Sequence, residues 1–427
     1  MSLESRTPPG TLPQPGVVSA LRAREPQVHS DDEMRWASAI TEEPDAERAA
    51  DAVVASVQGQ LRERAPDLAF LFCADAYAPG YDRLAARVRE NLPGALLIGC
   101  SARSVIGAGR EIEGRAALSL TVAYLPGVEL RPMRVAGDGF PRGTDSWREH
   151  FAIGASPDPH FVLLADPFSS DAESLVRQLD ADFPDSTLVG GLASGAEHAG
   201  ENALFLGDRV HCDGLVGVAL QGNVRVDSVV AQGCRPIGHP MFVTRVRDHH
   251  VLVELDGRPP VDVIRELFEH ADARDRGLLQ SALSIGIEMR PDLSEYRRGD
   301  FLIRNVVGAD PNTGALTIGA PLHEGLVVQF HLRDAQTSAE DLEERLACYQ
   351  RERGGMGPPH GALLFSCLGR GAWLYGVPDH DSDAFRRHVG AVPLGGFFCN
   401  GEIGPVEHHA FLHGYTSAFG LFRPRLA

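Results

Sequence analysis

Apolar residues in this chain form short runs that alternate with stretches of helical spacing. The run AFLFCAD at 69–75 predicts a buried strand, and ALLIGCS at 95–101 predicts a second strand that ends in small residues. Between the two runs, apolar positions at helical spacing predict one face of a helix: Tyr81, Leu84, Ala85, Val88 and Leu92. An apolar run at 116–123 follows and predicts a further strand.

The same order occurs again further along the chain. HFVLLAD at 160–166, a helical pattern that starts at Ala172, TLVGGLAS at 187–194 and GLVGVAL at 214–220 form a second copy. A fainter third copy has strands at 361–371, 392–405 and 417–422, with a short helix between Ala384 and Val389. Each copy is a β-α-β-β unit, which predicts a mixed α/β fold with mixed sheets.

Other segments predict elements outside these units. Ala50, Val53, Val54, Val57 and Leu61 share one helix face, and this helix is expected to begin near Trp36. Residues 301–310 and 314–330 are typical of strands joined by a glycine-containing turn. Thr337 followed by Glu340 is a capping-box pattern and predicts a helix that begins there.

We expect three regions along the chain. Residues 1–32 carry five prolines without periodicity and are expected to form a disordered leader. Two related domains follow, at 33–240 and 241–427, because 427 residues exceed the size of one ordinary core.

Composition excludes several functions. The formal charge of −18 argues against nucleic acid or an anionic membrane as the main partner, since both attract positive charge. The chain contains no Lys, so Schiff-base chemistry, a pyridoxal phosphate anchor and a Walker-type nucleotide site are excluded. No spacing typical of a hydrolase, metallopeptidase or dinucleotide motif occurs, and no cofactor is expected.

The cysteines and the N-terminal sequence indicate the cellular compartment of the protein. Seven widely spaced cysteines, with no CxxC pair, favour reduced thiols over a disulfide framework. The N-terminus has no apolar signal segment, and no stretch of about 18 apolar residues occurs. A cytoplasmic protein is therefore expected.

Several segments, taken in order, resemble the FIST family, whose N- and C-terminal domains occur together in bacterial signalling proteins and in eukaryotic F-box adaptors. The resemblance spans about residues 35–422 and rests on these segments: LLIGCSA (96–102), Glu111 to Leu120, VGGLAS (189–194), AQGCRPIGHPMFVT (231–244), ELDGRPP (254–260), LLFSCLGRG (363–371), GGFFCNGEIGP (395–405) and LHGYTSAF (412–419). It implies a non-enzymatic sensory module that binds small ligands, with amino acids as the usual suggestion. No F-box-like segment precedes residue 35, and no output domain is evident, so a separate signalling partner is expected.

Ligands of β-α-β units usually lie beyond the carboxyl ends of the strands, where backbone N–H groups converge. The small-residue turns Gly99–Ser101, Gly190–Ser194 and Gly395–Glu402 occupy that place, although tight packing alone also explains such glycines. Within these turns Ser101, Ser194 and Asn400 are candidate ligand-binding residues. An amino acid needs a cation for its carboxylate and an acid for its ammonium group, and Arg370 and Glu402 fit those roles. A purely structural pair of Arg370 and Glu402 is the alternative.

Two other classes of function stay open at this point. The clefts could be filled by side chains, with exposed edges recruiting a protein as a ligand-independent interaction scaffold. Cys100, Cys367 or Cys399 could act as a nucleophile, which requires a cationic neighbour to form the thiolate. His409 and His413 are spaced as in some zinc sites, but the sequence around them favours a strand, and no metal is expected.

Overall fold

The computed structural model describes residues 33–62, 64–136, 147–154, 157–291 and 293–425. The expected leader at 1–32 lies outside the described residues. The chain from Met34 onward forms one compact unit. Its structure is mixed α/β, as the patterning predicts.

Three units of the same design build most of the fold: an edge strand, a helix, a β-α-β segment, a hairpin and a closing strand. Unit I contains β1 (Arg35–Thr41), α1 (Ala46–Leu61), β2 (Leu68–Ala74), α2 (Tyr81–Asn91), β3 (Leu96–Ala102), β4 (Ser104–Gly107), β5 (Arg110–Glu113) and β6 (Leu118–Tyr124). Unit II contains β7 (Val128–Val135), α3 (Trp147–His150), β8 (His160–Ala165), α4 (Ala172–Asp182), β9 (Leu188–Leu192), β10 (Leu204–Leu206), β11 (Arg209–His211) and β12 (Leu215–Gly222).

Unit III is interrupted after its edge strand β13 (Arg225–Ala231) by an inserted barrel. The barrel contains β14 (Cys234–Arg247), β15 (Val251–Leu255), α5 (Pro260–His270), α6 (Ala273–Ser281), β16 (Leu283–Glu288), β17 (Phe301–Ala309), β18 (Leu316–Ile318) and β19 (Val327–Arg333). Unit III then continues with α7 (Ala335–Arg353), β20 (Gly361–Cys367), α8 (Ala372–Tyr375), α9 (His380–Val389), β21 (Leu394–Cys399), β22 (Glu402–Val406), β23 (His409–His413) and β24 (Ser417–Arg423).

Two helix starts differ from the sequence-based expectation. Trp36 lies in β1, and the helix expected from that residue begins only at Ala46, where the Asp45 side chain accepts a hydrogen bond from the Arg48 N–H. Helix α7 begins before Thr337, because Asp334 supplies the cap by accepting from the Thr337 N–H. The Thr-x-x-Glu pattern was therefore a wrong indicator of the cap.

Hairpins are exchanged among the three units in a closed cycle. The β4–β5 hairpin of unit I extends the unit III sheet by pairing with β21, and the β10–β11 hairpin of unit II pairs with β3 of unit I. The β22–β23 hairpin of unit III completes the cycle by pairing with β9 of unit II. Each six-stranded sheet thus holds four strands of its own unit and two of another.

One shared core lies among the three sheets, and each unit sends equivalent side chains into it. The contributing pairs, all fully buried, are Phe70 and Phe72, Val162 and Leu164, and Leu363 and Phe365. On their other faces the sheets carry separate clusters with the helices α1 and α2, α3 and α4, and α7 and α9. The boundary expected at 240/241 falls inside β14 of the barrel.

A glycine brings the two parallel strands of each unit into close approach. A Cβ atom at Gly190 would lie 1.9 Å from the carbonyl oxygen of Leu163, and Gly190 has a φ of +154°. The equivalent Gly99 and Gly396 would place a Cβ 1.8 and 1.9 Å from the matching carbonyl oxygens. The repeated glycines at the ends of these runs therefore permit strand packing that no side chain allows.

Candidate functional site

Ser101 and Ser194 connect neighbouring parts of the fold. The buried Ser101 hydroxyl donates to Asn202 Oδ1 at 3.1 Å and accepts from the Ala203 N–H at 2.9 Å. The Ser194 hydroxyl donates to the Phe398 carbonyl and accepts from the Arg103 N–H at 3.1 Å. Both hydroxyls are thus engaged within the protein.

The small-residue turns beside these serines are filled by neighbouring groups. A Cβ at Gly191 would lie 2.4 Å from Cys399 Sγ, and one at Gly195 would lie 2.6 Å from Ser101 Cβ. Asn400 is exposed, and its side-chain amide donates to the Ala193 carbonyl at 3.1 Å. The units meet closely at these strand ends.

Arg370, in contrast, lies at the centre of a buried polar arrangement after β20. Its guanidinium forms a two-point ion pair with Asp381, with Nε–Oδ2 at 2.8 Å and Nη2–Oδ1 at 3.1 Å. Both side chains are almost completely buried. Burial favours the neutral forms, but the charge of each partner outweighs it, so the pKa of Asp381 is lowered and that of Arg370 is raised.

Asp381 collects further donors from neighbouring elements. The hydroxyls of Ser366 and Ser417 both donate to its Oδ2 atom, and His380 Nδ1 lies 3.0 Å from Oδ1. These contacts tie α9 to the ends of β20 and β24.

The short helix α8 covers the guanidinium. Tyr375 has its ring centroid 5.5 Å from the Arg370 Cζ atom and stacks on His380 at 3.5 Å. Gly371 and Gly376, both with a φ near +70°, flank this helix, and Trp373 on it is 81% exposed. Between these glycines the helix presents an aromatic ring to Arg370 and another to solvent.

Glu402 is the second charged residue that the sequence singles out, and it is completely buried at the start of β22. Its Oε2 atom accepts from the Thr416 N–H at 3.1 Å, and the Cys367 thiol lies beside it. Burial raises the pKa of Glu402 well above the usual value, although the nearby charges of Arg370 and Arg333 oppose this shift. Arg370 therefore lies close enough for its charge to act on the Glu402 carboxyl group.

The exchanged hairpin of unit I adds two more carboxyl groups. Glu111 Oε1 accepts from the Ser382 N–H at 2.7 Å, and Glu113 Oε1 accepts from the Ala372 N–H at 2.8 Å. Burial, reinforced by the charge of Asp381, raises the pKa of Glu111 to about 8. We call Arg370, Asp381, Glu402 and Glu111 the unit III polar cluster.

Three atoms of this cluster are buried without a hydrogen-bond partner among the described residues: Arg370 Nη1, Glu402 Oε1 and Glu111 Oε2. An unpaired buried polar atom costs about 1–3 kcal/mol, so native proteins rarely keep several together without a reason. In this cluster the Arg370 Nη1 group is therefore free to bind a negative group, and the two carboxyl oxygens are free to bind a positive group.

The thiols offer little support for a nucleophile. Burial, reinforced by the charge of Glu402, raises the pKa of Cys367 to about 12. The pKa values of Cys100 and Cys399 are also well above normal because both thiols are fully buried. Each environment favours the thiol over the thiolate that attack requires.

The histidines near the C-terminus have separate partners. His413 is buried in β23 and donates from Nε2 to the Gly404 carbonyl at 2.9 Å, while burial lowers its pKa to about 4. His409 Nδ1 lies 2.9 Å from Asp180 Oδ2. In the part of the chain that the structure describes, no three metal-binding side chains form a group.

Sequence reasoning missed Asp381 and Glu111 as members of the cluster. Asp381 stands in a polar helix start, DHDSD, where acids are common. Glu111 comes from a hairpin about 260 residues earlier in the chain, and only the exchange between units brings it close.

The fold and this cluster define a class of protein: three β-α-β-β units around a common core, with an inserted barrel and an internal charged cluster. Comparison with known families then identifies the family of the chain. The FIST N domain matches residues 67–258, and the FIST C domain matches residues 260–405. This chain belongs to the FIST family.

Relatives extend over most of the chain. An uncharacterised protein of Mycobacterium tuberculosis is 38% identical over 389 residues, which cover 91% of this chain and all of that protein. One of Mycobacterium bovis is 34% identical over the same share of this chain and 99% of its own. F-box only protein 22 of Homo sapiens is 43% identical over 61 residues, 14% of this chain and 15% of that protein.

FIST domains are associated with sensory signal transduction and form a sensory rather than an enzymatic family. None of the helices in the described ranges combines the length and apolarity that a membrane crossing requires.

Proposed function

We propose that this protein is a cytoplasmic sensor that binds a small polar metabolite at the unit III polar cluster and signals through a separate partner. The observation that carries this proposal is the pair of buried, unpartnered atoms Arg370 Nη1 and Glu402 Oε1. A ligand that satisfies both atoms removes their desolvation cost and gains charge-assisted hydrogen bonds.

The chemistry of the two atoms favours a zwitterion such as an amino acid. The Nη1 amino group of Arg370, with its two N–H donors, is left for a carboxylate, whereas Asp381 accepts from Nε and Nη2. Glu402 has one free oxygen for an ammonium group. Because burial raises the Glu402 pKa, a bound cation should release a proton from this carboxyl, and affinity should increase with pH.

Access to the cluster requires a movement of α8. This helix has four residues, is flanked by Gly371 and Gly376, and carries the exposed Trp373. Glycines with positive φ tolerate large backbone rotations, so they are suitable hinge points for this segment.

Ser101, Ser194 and Asn400, the other candidate residues from the sequence, have a smaller role than Arg370 and Glu402. The Ser101 and Ser194 hydroxyls are engaged in contacts between units, and Asn400 is exposed outside the cluster. These three residues would position the strand ends rather than contact the ligand.

Thermal unfolding in the presence of each common amino acid at millimolar concentration tests the proposal. A ligand at about 100 times its dissociation constant adds about 2.7 kcal/mol of stability and raises the melting temperature. We also expect the fluorescence of Trp373 to change on binding, in a protein where Trp36 and Trp147 are replaced by Phe.

Glu402→Gln separates ligand contact from a structural role. Glutamine keeps an oxygen for the Thr416 N–H but removes the charge, so affinity should decrease at least about tenfold while the ligand-free protein stays folded. Glu197→Gln, at an exposed ion pair with Arg103, is the matched control and should bind normally. Absence of any amino-acid effect, or equal binding by Glu402→Gln, would count against the proposal.

A further inference from the structure

Edge strands are the places where a sheet can accept another strand, because one row of their N–H and C=O groups has no partner. The three units provide equivalent edge strands, β1, β7 and β13, each at one end of its sheet. The three edges differ in how they are protected.

Two of the edges are protected. In β1 the Gln60 side chain covers the backbone of Ser38, accepting from its N–H at 3.3 Å and donating to its carbonyl at 3.0 Å. In β7 the edge strand contains Pro132, which has no N–H to offer. Both devices discourage the addition of a further strand.

The third edge, β13, is open. The Val226 carbonyl accepts from the Thr187 hydroxyl at 2.8 Å, so it points away from β24. Since backbone direction alternates along a strand, the N–H and C=O groups of Ser228 and Val230 also point away from β24. No strand in the described part of the chain pairs with β13 on this side.

These backbone groups lie in a groove of about 620 Å³, which has residues 225–230 as part of its lining. Residues of helix α7 and residues 184–187 and 405–408 form other parts of the lining. A stretch of six residues is about 20 Å long, enough for an extended peptide of similar length.

The lining has an excess of negative charge. Among the described residues it contains six carboxylates and four guanidiniums. Asp341 lies between Arg298 and Arg345, at 3.5 and 3.7 Å. The other paired acids are Asp227, with Arg225, Arg353 and Arg423, and Glu407, with Arg290. Among the described residues, the lining carboxylates without an ion pair to an arginine are Asp185, Asp300 and Glu352. Asp185 is exposed on the rim.

A second copy of this chain does not suit the groove. β13 is largely buried, with Val226 and Val229 only 4% and 5% exposed, so two recessed strands cannot meet edge to edge. Two chains that each carry a charge of −18 also repel one another. A flexible and positively charged peptide segment fits into the recessed groove and complements the carboxylates of its lining.

We propose that an extended, basic peptide segment of a partner protein adds to β13 as a further strand in this groove. Backbone hydrogen bonds to Ser228 and Val230 would supply affinity, and the acidic lining would select for Lys and Arg. This proposal concerns the partner surface and does not depend on the identity of a ligand at the unit III polar cluster.

A random dodecapeptide phage library, selected on the full-length protein, tests the proposal. We expect peptides rich in Lys, Arg and β-branched residues, and fluorescence anisotropy then measures their affinity. Ser228→Pro removes the outward N–H without affecting the bonds to β24, and it should weaken binding at least tenfold. Ser228→Ala keeps the N–H, is the matched control, and should bind as the unaltered protein does.

Asp185→Arg provides a second variant that does not disturb the strand. Because Asp185 is an exposed rim residue, the protein should fold normally, while basic peptides should bind severalfold more weakly. The proposal is overturned if no peptide is enriched, if the peptides are acidic, or if they bind Ser228→Pro and Asp185→Arg as well as the unaltered protein. Enrichment of peptides that match residues 1–32 would overturn the partner assignment in favour of this chain's own leader.

Discussion

Single residues in this protein show how burial and pairing decide the state of a charge. Arg370 and Asp381 stay ionised because each neutralises the other at hydrogen-bonding distance. Glu111 is buried and lies near the Asp381 carboxylate, and these two effects outweigh its hydrogen bonds from Ser382, so its neutral form is favoured. Neighbouring acids in one buried cluster therefore differ in protonation.

Glu111 predicts a pH dependence of stability. Burial raises its pKa from 4.5 in the unfolded chain to about 8 in the folded protein, so the folded state holds the extra proton. The contribution of protonated Glu111 to the free energy of unfolding is complete below pH 4.5 and is lost as pH rises through about 8. Glu111→Gln should reduce the decline between pH 5 and 8 by up to about 1.4 kcal/mol per pH unit, as measured by urea unfolding.

Two controls accompany this measurement. Glu111→Gln preserves the oxygen that accepts from Ser382, so its stability at pH 5 should remain close to that of the unaltered protein. Glu197→Gln, at an exposed position, should show the same pH profile as the unaltered protein. An unchanged slope in Glu111→Gln would show that this carboxyl is ionised in the fold.

At the scale of elements, the close approach of paired strands depends on glycine. Each unit contains one glycine whose Cβ would coincide with the carbonyl of the neighbouring parallel strand. The sequence shows these residues as small-residue strand ends, which suit either a ligand recess or tight packing. The distances in the structure show tight packing at Gly99, Gly190 and Gly396.

Gly190→Ala should therefore destabilise the protein by about 3 kcal/mol or more, because β8 and β9 must separate. Urea unfolding measures this change. The control is Gly59→Ala in α1, which has open space around it and should stabilise the protein by about 0.5–1 kcal/mol. A Gly190→Ala protein of normal stability would contradict this account of the strand pair.

At the scale of the whole molecule, the exchanged hairpins make the three units depend on one another. The edge strand of unit III, β13, precedes residue 240, whereas its partner β24 lies near the C-terminus. Hairpin β22–β23 likewise completes a sheet whose other strands come from unit II. Sheets formed in this way should unfold together rather than domain by domain.

Separate expression of residues 33–240 and 241–427 tests this dependence. Neither fragment should show a cooperative unfolding transition by itself, because each leaves sheet edges and part of the shared core exposed. Co-expression should restore a soluble complex with one transition. If fragment 33–240 unfolds cooperatively as a monomer, the units are more independent than the hairpin exchange implies.

The elements themselves were readable from the sequence because burial imposes period and composition locally. The strands β2, β3, β8 and β20 and the helices α2 and α4 lie close to where the apolar patterns predict them. The repetition of the units was also visible, and it led to the right fold class. The resemblance to FIST domains was recognisable because it depends on ordered local motifs.

Only the tertiary structure shows how these elements pair and pack with one another. Hairpin exchange, the inserted barrel and the open edge of β13 depend on pairings between residues far apart in the chain, which no local pattern records. The same holds for the candidate site. Arg370 and Glu402 were visible as charges in turns, but Asp381, Glu111 and the unpartnered buried atoms came from packing, since burial is a property of the assembled molecule.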